Sequence, residues 1–243
     1  VENLRSCWKP DSRLVVVCSD AHNFPLNDEM CDTFTKCFNY HGLTVSSSVM
    51  LDSRNERDAG RIIALSDSSG GILREEGLDV PDLLQFKEQG GRLADYSAPG
   101  VQHLSCEQVL ETPCTVLALC TVSAAVTEEN AHKLQSTVVL ECGNAQITAE
   151  AGDLLEGRDI TIIPDLVATA GGVIVDYFER VQNVQSLIWE QFEVDRMMKS
   201  ILLKTFDKVW EAAVSHGVSL RMASYLIALE KVCEAKRIRG IFP

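Results

Sequence analysis

The stretch that decides the fold is Arg61–Ile72, RIIALSDSSGGI. Ile62–Leu65 is a short, continuous apolar run, the pattern of a strand covered on both faces. It stops at Ser66-Asp67-Ser68-Ser69-Gly70-Gly71, a run of turn formers. A carboxylate just after the second strand of a dinucleotide-binding fold can accept hydrogen bonds from ribose hydroxyls, and it repels a 2′-phosphate. An Asp in a Ser/Gly turn also commonly serves only the turn.

The same pattern spreads outward. Upstream, Leu14–Cys18 (LVVVC) is another buried-strand run. Met30, Phe34, Cys37 and Phe38 fall at helical spacing within Asp28–Tyr40, with Asn27 as N-cap and Gly42 beyond the end. Leu43–Met50 reads as a strand. Downstream, residues 78–90 predict a helix opening at Pro81 and closing at Gly90. Val116–Cys120 and Val138–Glu141 read as strands, with Thr127–Leu134 as a helix between them. Ile160–Ile163 is a further strand. After Gly171 and Gly172 the pattern stays helical: Leu187, Ile188, Phe192, Met197, Ile201, Leu202, Phe206, Val209 and Trp210 fall mostly on one face. A last helix covers Leu220–Lys236. Strands alternating with helices predict an α/β fold, a Rossmann-like, doubly wound, mostly parallel sheet with long C-terminal helices.

Composition narrows the function classes. Asp and Glu number 35 against 22 Lys and Arg, a net charge of -13, so nucleic-acid contact is not expected. No apolar run is long enough for a membrane span. Nine cysteines without a CxxC pair make a poor disulfide framework and a poor zinc site. Several sit in apolar runs such as VLALC, which points to reduced, buried thiols and a reducing compartment. His22, His41, His103, His132 and His216 show no metal spacing, and no metal is expected.

In a doubly wound sheet, ligand-facing residues follow the strand carboxyl ends. Besides Asp67 and Ser68, two places qualify. Glu141-Cys142-Gly143-Asn144 offers an amide that can bond a carboxamide or a ribose, or simply close an Asx-turn. Ile163-Pro164-Asp165-Leu166 leads to Gly171 and Gly172, a glycine pair suited to close approach of a ligand or to tight helix–strand packing.

Taken in order, RIIALSDSSGGI, GLDVPDLLQFKEQGG, VTEENAHKL, the Glu141–Asn144 turn, IIPDLVATAGGVIVDYFERVQN and RMASYLIALEKV resemble the C-terminal domain of the glutamate/leucine/phenylalanine/valine dehydrogenase family, closest to glutamate dehydrogenase. The resemblance spans about residues 60–240, with 1–59 a divergent βαβ-like part of one dinucleotide-binding domain over 1–243. It implies descent from enzymes that deaminate glutamate with a nicotinamide cofactor. Asp67 stands where the family places its ribose acid, which implies NAD over NADP. Asn144 matches the family Asn near the nicotinamide ribose, and Gly171 and Gly172 match the pair that opens the long helix.

Other positions depart from the family. No GxGxxG-type loop follows either candidate first strand; LVVVC runs into SDAHNFP. The family's Pro-Ala-Ala-like loop is Leu119-Cys120-Thr121 here. Thr169 replaces an Asn, and Asp176 replaces a Ser that holds the substrate carboxylate, where a second carboxylate would repel it. Nothing in residues 1–60 resembles the substrate domain that carries the family's catalytic lysines and acid. The cofactor-facing set expected from sequence is therefore Asp67, Ser68, Cys120, Thr121, Asn144, Thr169, Gly171 and Gly172, with no catalytic residue and with NAD binding weak or lost.

Two functions follow. One is a non-catalytic structural or regulatory subunit of a larger assembly, or a homo-oligomer. The other is the NAD-binding domain of an active NAD-dependent amino-acid dehydrogenase. The long helix 178–214 supplies Trp189, Phe192 and Trp210 as partner anchors or as packing on the sheet. A chain starting at Val1 within this family is expected in an organellar matrix, mitochondrial before plastid, or else in the cytoplasm.

Overall fold

The computed structural model describes residues 12–18, 61–121 and 124–240. The helix expected over Asp28–Tyr40 and the strand expected over Leu43–Met50 lie outside the described residues. The described residues form seven strands, β1 (Arg13–Cys18), β2 (Arg61–Asp67), β3 (Gly70–Leu73), β4 (Gln102–Leu104), β5 (Cys114–Cys120), β6 (Ser136–Glu141) and β7 (Thr161–Ile163). They form one sheet in the order β4-β3-β2-β1-β5-β6-β7. β2, β1, β5, β6 and β7 run parallel, whereas β3 and β4 are antiparallel additions beyond β2. The strand order turns back at β1, between β2 and β5, and that is where a doubly wound sheet opens a crevice.

The apolar runs give strands with both faces buried. On β1, Leu14 and Val16 point into one core, and Val15 and Val17 into the other. The first core holds Ile62, Leu65, Val116, Val138 and Ile163 under α1 (Val80–Glu88), α5 (Ala170–Gln185), α6 (Gln191–His216) and α7 (Leu220–Arg239). Phe206 of α6 is its largest fully buried side chain. The second core holds Ile63, Leu117, Leu119 and Val139 under α2 (Cys106–Leu110) and α3 (Ala149–Glu156). A short helix, α4 (Asp165–Ala168), follows β7. Helices thus cover both faces, as expected from the alternating pattern.

The turn expected at DSSGG is the tip of a tight hairpin, and two other sequence expectations fail for identifiable reasons. Asp67 pairs with Gly70, and β3 turns back beside β2. Gly71 is obligatory there, since a Cβ would stand 2.3 Å from Val109 Cγ2.

The helix expected over Thr127–Leu134 shrinks to one 3-10 turn, Ala131–Lys133. Asn130 explains it. Its side chain accepts from Thr127 N–H and donates to Ala125 O at 2.9 Å each, competing with helical bonding. Arg158 then donates to Ala131 O and Leu134 O, at 2.6 and 2.7 Å, fixing the open carbonyls.

The single long helix expected over 178–214 is broken. α5 ends at Ser186 in the left-handed conformation (φ 54°), and α6 begins at Gln191. Consequently Leu187, Ile188 and Phe192 are not on a buried stripe; Ile188 is 93% exposed. Of the three aromatic residues considered as anchors, two pack internally. Trp189 sits edge-on to Phe178 with centroids 5.7 Å apart, and Trp210 lies against Phe206 at 6.0 Å. Phe192 stays exposed.

Two substitutions separate the expected stripe from the real one. Phe206→Ala should cost roughly 3–5 kcal/mol in urea denaturation, whereas Ile188→Ala should change stability by no more than about 0.5 kcal/mol.

Candidate functional site at the strand carboxyl ends

The parallel strands deliver their last residues to one edge of the sheet. Asp67 ends β2, Cys18 ends β1, Cys120 ends β5 and Glu141 ends β6, with Cys18 opposite Cys120 and Leu119 opposite Glu141. Of the residues expected at the cofactor, five lie at or just after one of these ends and three lie beyond α4. Asp67 and Ser68 stand at β2, Cys120 and Thr121 at β5, Asn144 after β6, and Thr169, Gly171 and Gly172 after β7. Asp67 and Glu141 are three strand spacings apart, roughly 14 Å.

Asp67 is fully buried. Its Oδ1 accepts from Ser69 N–H at 2.7 Å and from Ser69 Oγ at 2.5 Å. Its Oδ2 accepts from Lys87 Nζ at 2.8 Å and from Leu93 N–H at 3.4 Å. Lys87, on the last turn of α1, is itself buried at its side chain. Burial alone would raise the Asp67 pKa, but the Lys87 and Ser69 bonds together outweigh it and hold the carboxyl below its ordinary value. Cys106 adds a thiol donating to Asp67 O at 3.2 Å. Ser68, by contrast, is exposed in the turn.

At β5 the chain continues through buried Cys120 to half-buried Thr121. Gln146, fully buried, reaches across from the β6 side. Its Nε2 donates to Thr121 O at 2.7 Å, and its Oε1 accepts from Gly143 N–H at 2.9 Å. A side chain at Gly143 has no room, since a Cβ would lie 2.7 Å from that Nε2 and 2.8 Å from Thr121 O. The amide thus stitches the β5 and β6 loops together. Asn144 is exposed beside this stitch.

Glu141 is the second buried carboxylate of the edge. It accepts from Ile147 N–H at 3.1 Å and from Asp165 N–H at 3.2 Å, and it pairs closely with the Arg221 guanidinium of α7. Arg221 also donates to Asp165 Oδ1 at 3.0 Å, while Asp165 Oδ2 accepts from Ala145 N–H at 3.0 Å. Burial is the main influence on Glu141 and raises its pKa against the pull of Arg221, with the Asp165 carboxylate adding to the rise.

Past β7, the Thr169 hydroxyl donates back to Asp165 O at 2.8 Å, so it does not cap α5. Gly171 is buried. Gly172 is exposed, and a Cβ there would meet nothing within 4 Å, so packing among the described residues does not demand it. Asp176, one turn further on, is exposed.

Sequence reasoning missed three residues of this edge: Lys87, Gln146 and Arg221. Lys87 lies 20 residues beyond its partner, and Arg221 lies 80 beyond Glu141. A lysine or arginine on a helix gives no local sign of a carboxylate brought to it by the sheet. Among the described residues, no cluster of three His, Cys, Asp or Glu could hold a metal ion, and Cys106, Cys114, Cys120, Cys142 and Cys233 form no disulfide. Burial pushes the Cys114 thiol up to about 12, which leaves it unreactive at neutral pH.

Comparison with known proteins gives a consistent answer. The family model Glutamate/Leucine/Phenylalanine/Valine dehydrogenase matches residues 46–240. A catabolic NAD-specific glutamate dehydrogenase of Bacillus subtilis is 35% identical over 184 residues, covering 75% of this chain and 43% of that protein. A hetero-hexameric glutamate dehydrogenase from Thermus thermophilus, solved in a Leu-bound form, superposes with a TM-score of 0.72 at 28% identity, covering 96% of this chain and 48% of that one. Glutamate dehydrogenase of Plasmodium falciparum, at 21% identity and a TM-score of 0.73, shares the fold. The chain spans less than half the length of these relatives.

The two buried carboxylates should respond differently to perturbation. Arg221→Met should destabilise by roughly 2–4 kcal/mol, below the fully buried case because the guanidinium is about a third exposed. Asp67 has a folded pKa below 3.8, so its contribution is present above that pH and is lost as the pH falls through the folded value. Asp67→Asn should therefore be less stable than wild type at pH 7. In urea titrations at stepped pH, the gap should narrow below pH 3.8.

Proposed function

Because the chain belongs to the glutamate/leucine/phenylalanine/valine dehydrogenase family, we propose that it serves as a structural or regulatory subunit of a larger assembly rather than as a working cofactor domain. One observation carries this reading. β1 is the strand at which the sheet order reverses, so in sequence the stretch directly after Cys18 is where a doubly wound fold is expected to carry its phosphate-binding loop. They read SDAHNFP, and the chain has no glycine before Gly42. A pyrophosphate needs glycines for the tight turn and for close approach of backbone N–H groups. The same stretch of sequence includes Asp20, a carboxylate, where the family carries glycines.

The residues present do not fit a dinucleotide bound in the family manner. Asp67 would have to accept ribose hydroxyls, yet both its oxygens are already engaged by Ser69, Lys87 and Leu93 in a fully buried position. Asn144 is exposed after β6, and the Gly171–Gly172 pair opens α5. No catalytic step is assigned to this chain.

Membership of an assembly fits the rest. A Thermus thermophilus relative is described as hetero-hexameric, so unlike chains of this fold can share one oligomer. The described surface carries large exposed apolar residues such as Val184, Ile188 and Phe192, which suit contacts between subunits. No single described helix is long and apolar enough to cross a membrane.

A second reading rests on the position of Asp67 in the sequence rather than on its engaged oxygens. A carboxylate at the end of β2, in a chain 35% identical to an NAD-specific enzyme, suits the NAD-binding domain of an amino-acid dehydrogenase. Titrating the purified chain with NADH and following nicotinamide fluorescence decides between them. The subunit reading expects no saturation below about 1 mM, weaker than about -4 kcal/mol of binding; saturation in the micromolar range would replace it with the second. Light scattering on gently prepared material should give a particle larger than the 26.8 kDa chain.

A further inference from the structure

The last helix outgrows the body of the domain. α7 departs from α6 with a bend of 109°. Its first turns pack, with Leu220, Ala223 and Ser224 buried. From Ala228 to Arg239 every residue is exposed, an arm of about 18 Å at 1.5 Å per residue. A helix of that length is marginal in water without a partner. Its surface is also too apolar for a solvated arm. Met222, Tyr225, Leu229 and Val232 recur at steps of three, four and three, all four are exposed, and exposed Leu226 lies beside them. Alternating steps of three and four are the spacing of a seam between two helices. The stretch MASYLIAL, residues 222–229, carries no charge.

Charge is divided between the two ends of this surface. The arm holds Lys231, Lys236, Arg237 and Arg239 against Glu230 and Glu234. The other end meets the acidic side of α3. Met222 and Tyr225 line one groove with Asp153 and Glu156. Val218 and Ser219, just before α7, line another with Glu156 and Asp159. Among the described residues, none of the arm's four cations and none of these three carboxylates makes an ion pair. A basic end and an acidic end thus flank an apolar seam. Such a surface is complementary to itself when turned end for end, the condition for a two-fold contact.

We propose that α7 pairs antiparallel with α7 of a second copy of this chain. A two-fold axis at Ile227, midway along the seam, sets Met222 against the partner's Val232 and Tyr225 against the partner's Leu229. First and fourth heptad positions face each other in this way across an antiparallel pair. The same register brings Lys236 level with the partner's Val218, where Glu156 and Asp159 line the groove. Parallel pairing would instead bring the two basic arms together, and like charges across an interface are costly. The pairing names one contact of the assembly proposed above and rests on that reading, which the NADH titration tests separately.

Sedimentation velocity and light scattering on the full chain from about 1 to about 100 µM read the outcome. The mass should rise with concentration to at least twice that of the 26.8 kDa chain. Leu229→Asp should weaken self-association by about tenfold or more, with the fold checked by circular dichroism. Ile188→Asp, an exposed position on the α5–α6 link, should leave it within about twofold. Lys236→Glu and Glu156→Lys should each weaken it by about threefold or more, and an equimolar mixture of the two variants should return it to within about twofold of wild type. In the mixed pair, opposite charges meet at both ends; a variant that merely misfolds would not be rescued. A monomer throughout overturns the proposal in favour of an unlike partner, or another segment of this chain, on α7. A particle whose mass Leu229→Asp leaves unchanged, or no recovery on mixing, also overturns it. Loss of association in Ile188→Asp but not in Leu229→Asp overturns this contact and leaves the subunit reading standing.

Discussion

The fold depends on β1, six residues hydrogen-bonded along both edges, to β2 on one side and β5 on the other. Leu14, Val15, Val16 and Val17 are all buried, two to each core. A strand in that position must be apolar on both faces and must offer unbroken N–H and C=O rows to two neighbours. Arg13–Cys18 lacks glycine and proline and pairs with both neighbours, with one register shift against β2 between Leu14 and Val15. Once it is placed, β2 and β5 diverge from it, the order reverses, and the carboxyl ends of five parallel strands share one edge.

That edge is stabilised by buried carboxylates braced from helices far along the chain. Asp67 is held by Lys87 of α1, and Glu141 by Arg221 of α7. The two titrate in opposite directions. Asp67 gathers four donors and stays ionised, whereas for Glu141 burial and the Asp165 carboxylate outweigh Arg221. Breaking either pair leaves a buried charge, which costs far more than the intact pair contributes. The Arg221 brace has a further effect. Through Asp165 and Glu141 it fixes Ala145 and Ile147, so α7 sets the shape of the loop that presents Asn144.

Much of this was legible in the sequence, and what was not has a common cause. Strands buried on both faces announce themselves as apolar runs, so β1, β2, β5, β6 and β7 and the parallel architecture could be read directly. The three-residue β4 and the five-residue α2 are too short for periodicity to register. Thr127–Leu134 looked helical by composition, but Asn130 has a local alternative that composition does not weigh. The break at Ser186 rests on one residue adopting a left-handed conformation, which no spacing rule anticipates. At the edge, the residues on strand ends could be singled out, while Lys87, Gln146 and Arg221 arrive through tertiary packing alone.

The contrast between core and edge explains how a family fold can persist while its ligand chemistry changes. Core positions are constrained by packing at crystal-like density, where even one methylene is felt. Loop residues after the strands carry no such burden, since their backbone faces solvent or a ligand. Gly71 and Gly143 show the difference, because each is held by a protein atom under 3 Å from where a Cβ would be. Gly172 has nothing within 4 Å, so the fold alone does not require it. A glycine needed only for a ligand is not held in place by packing, and the stretch after β1 has no glycine before Gly42. Gln146 points the same way from the opposite direction. Its buried amide spends its bonds on Thr121 and Gly143, closing the β5–β6 gap with protein contacts. At this point the edge is closed by protein contacts alone.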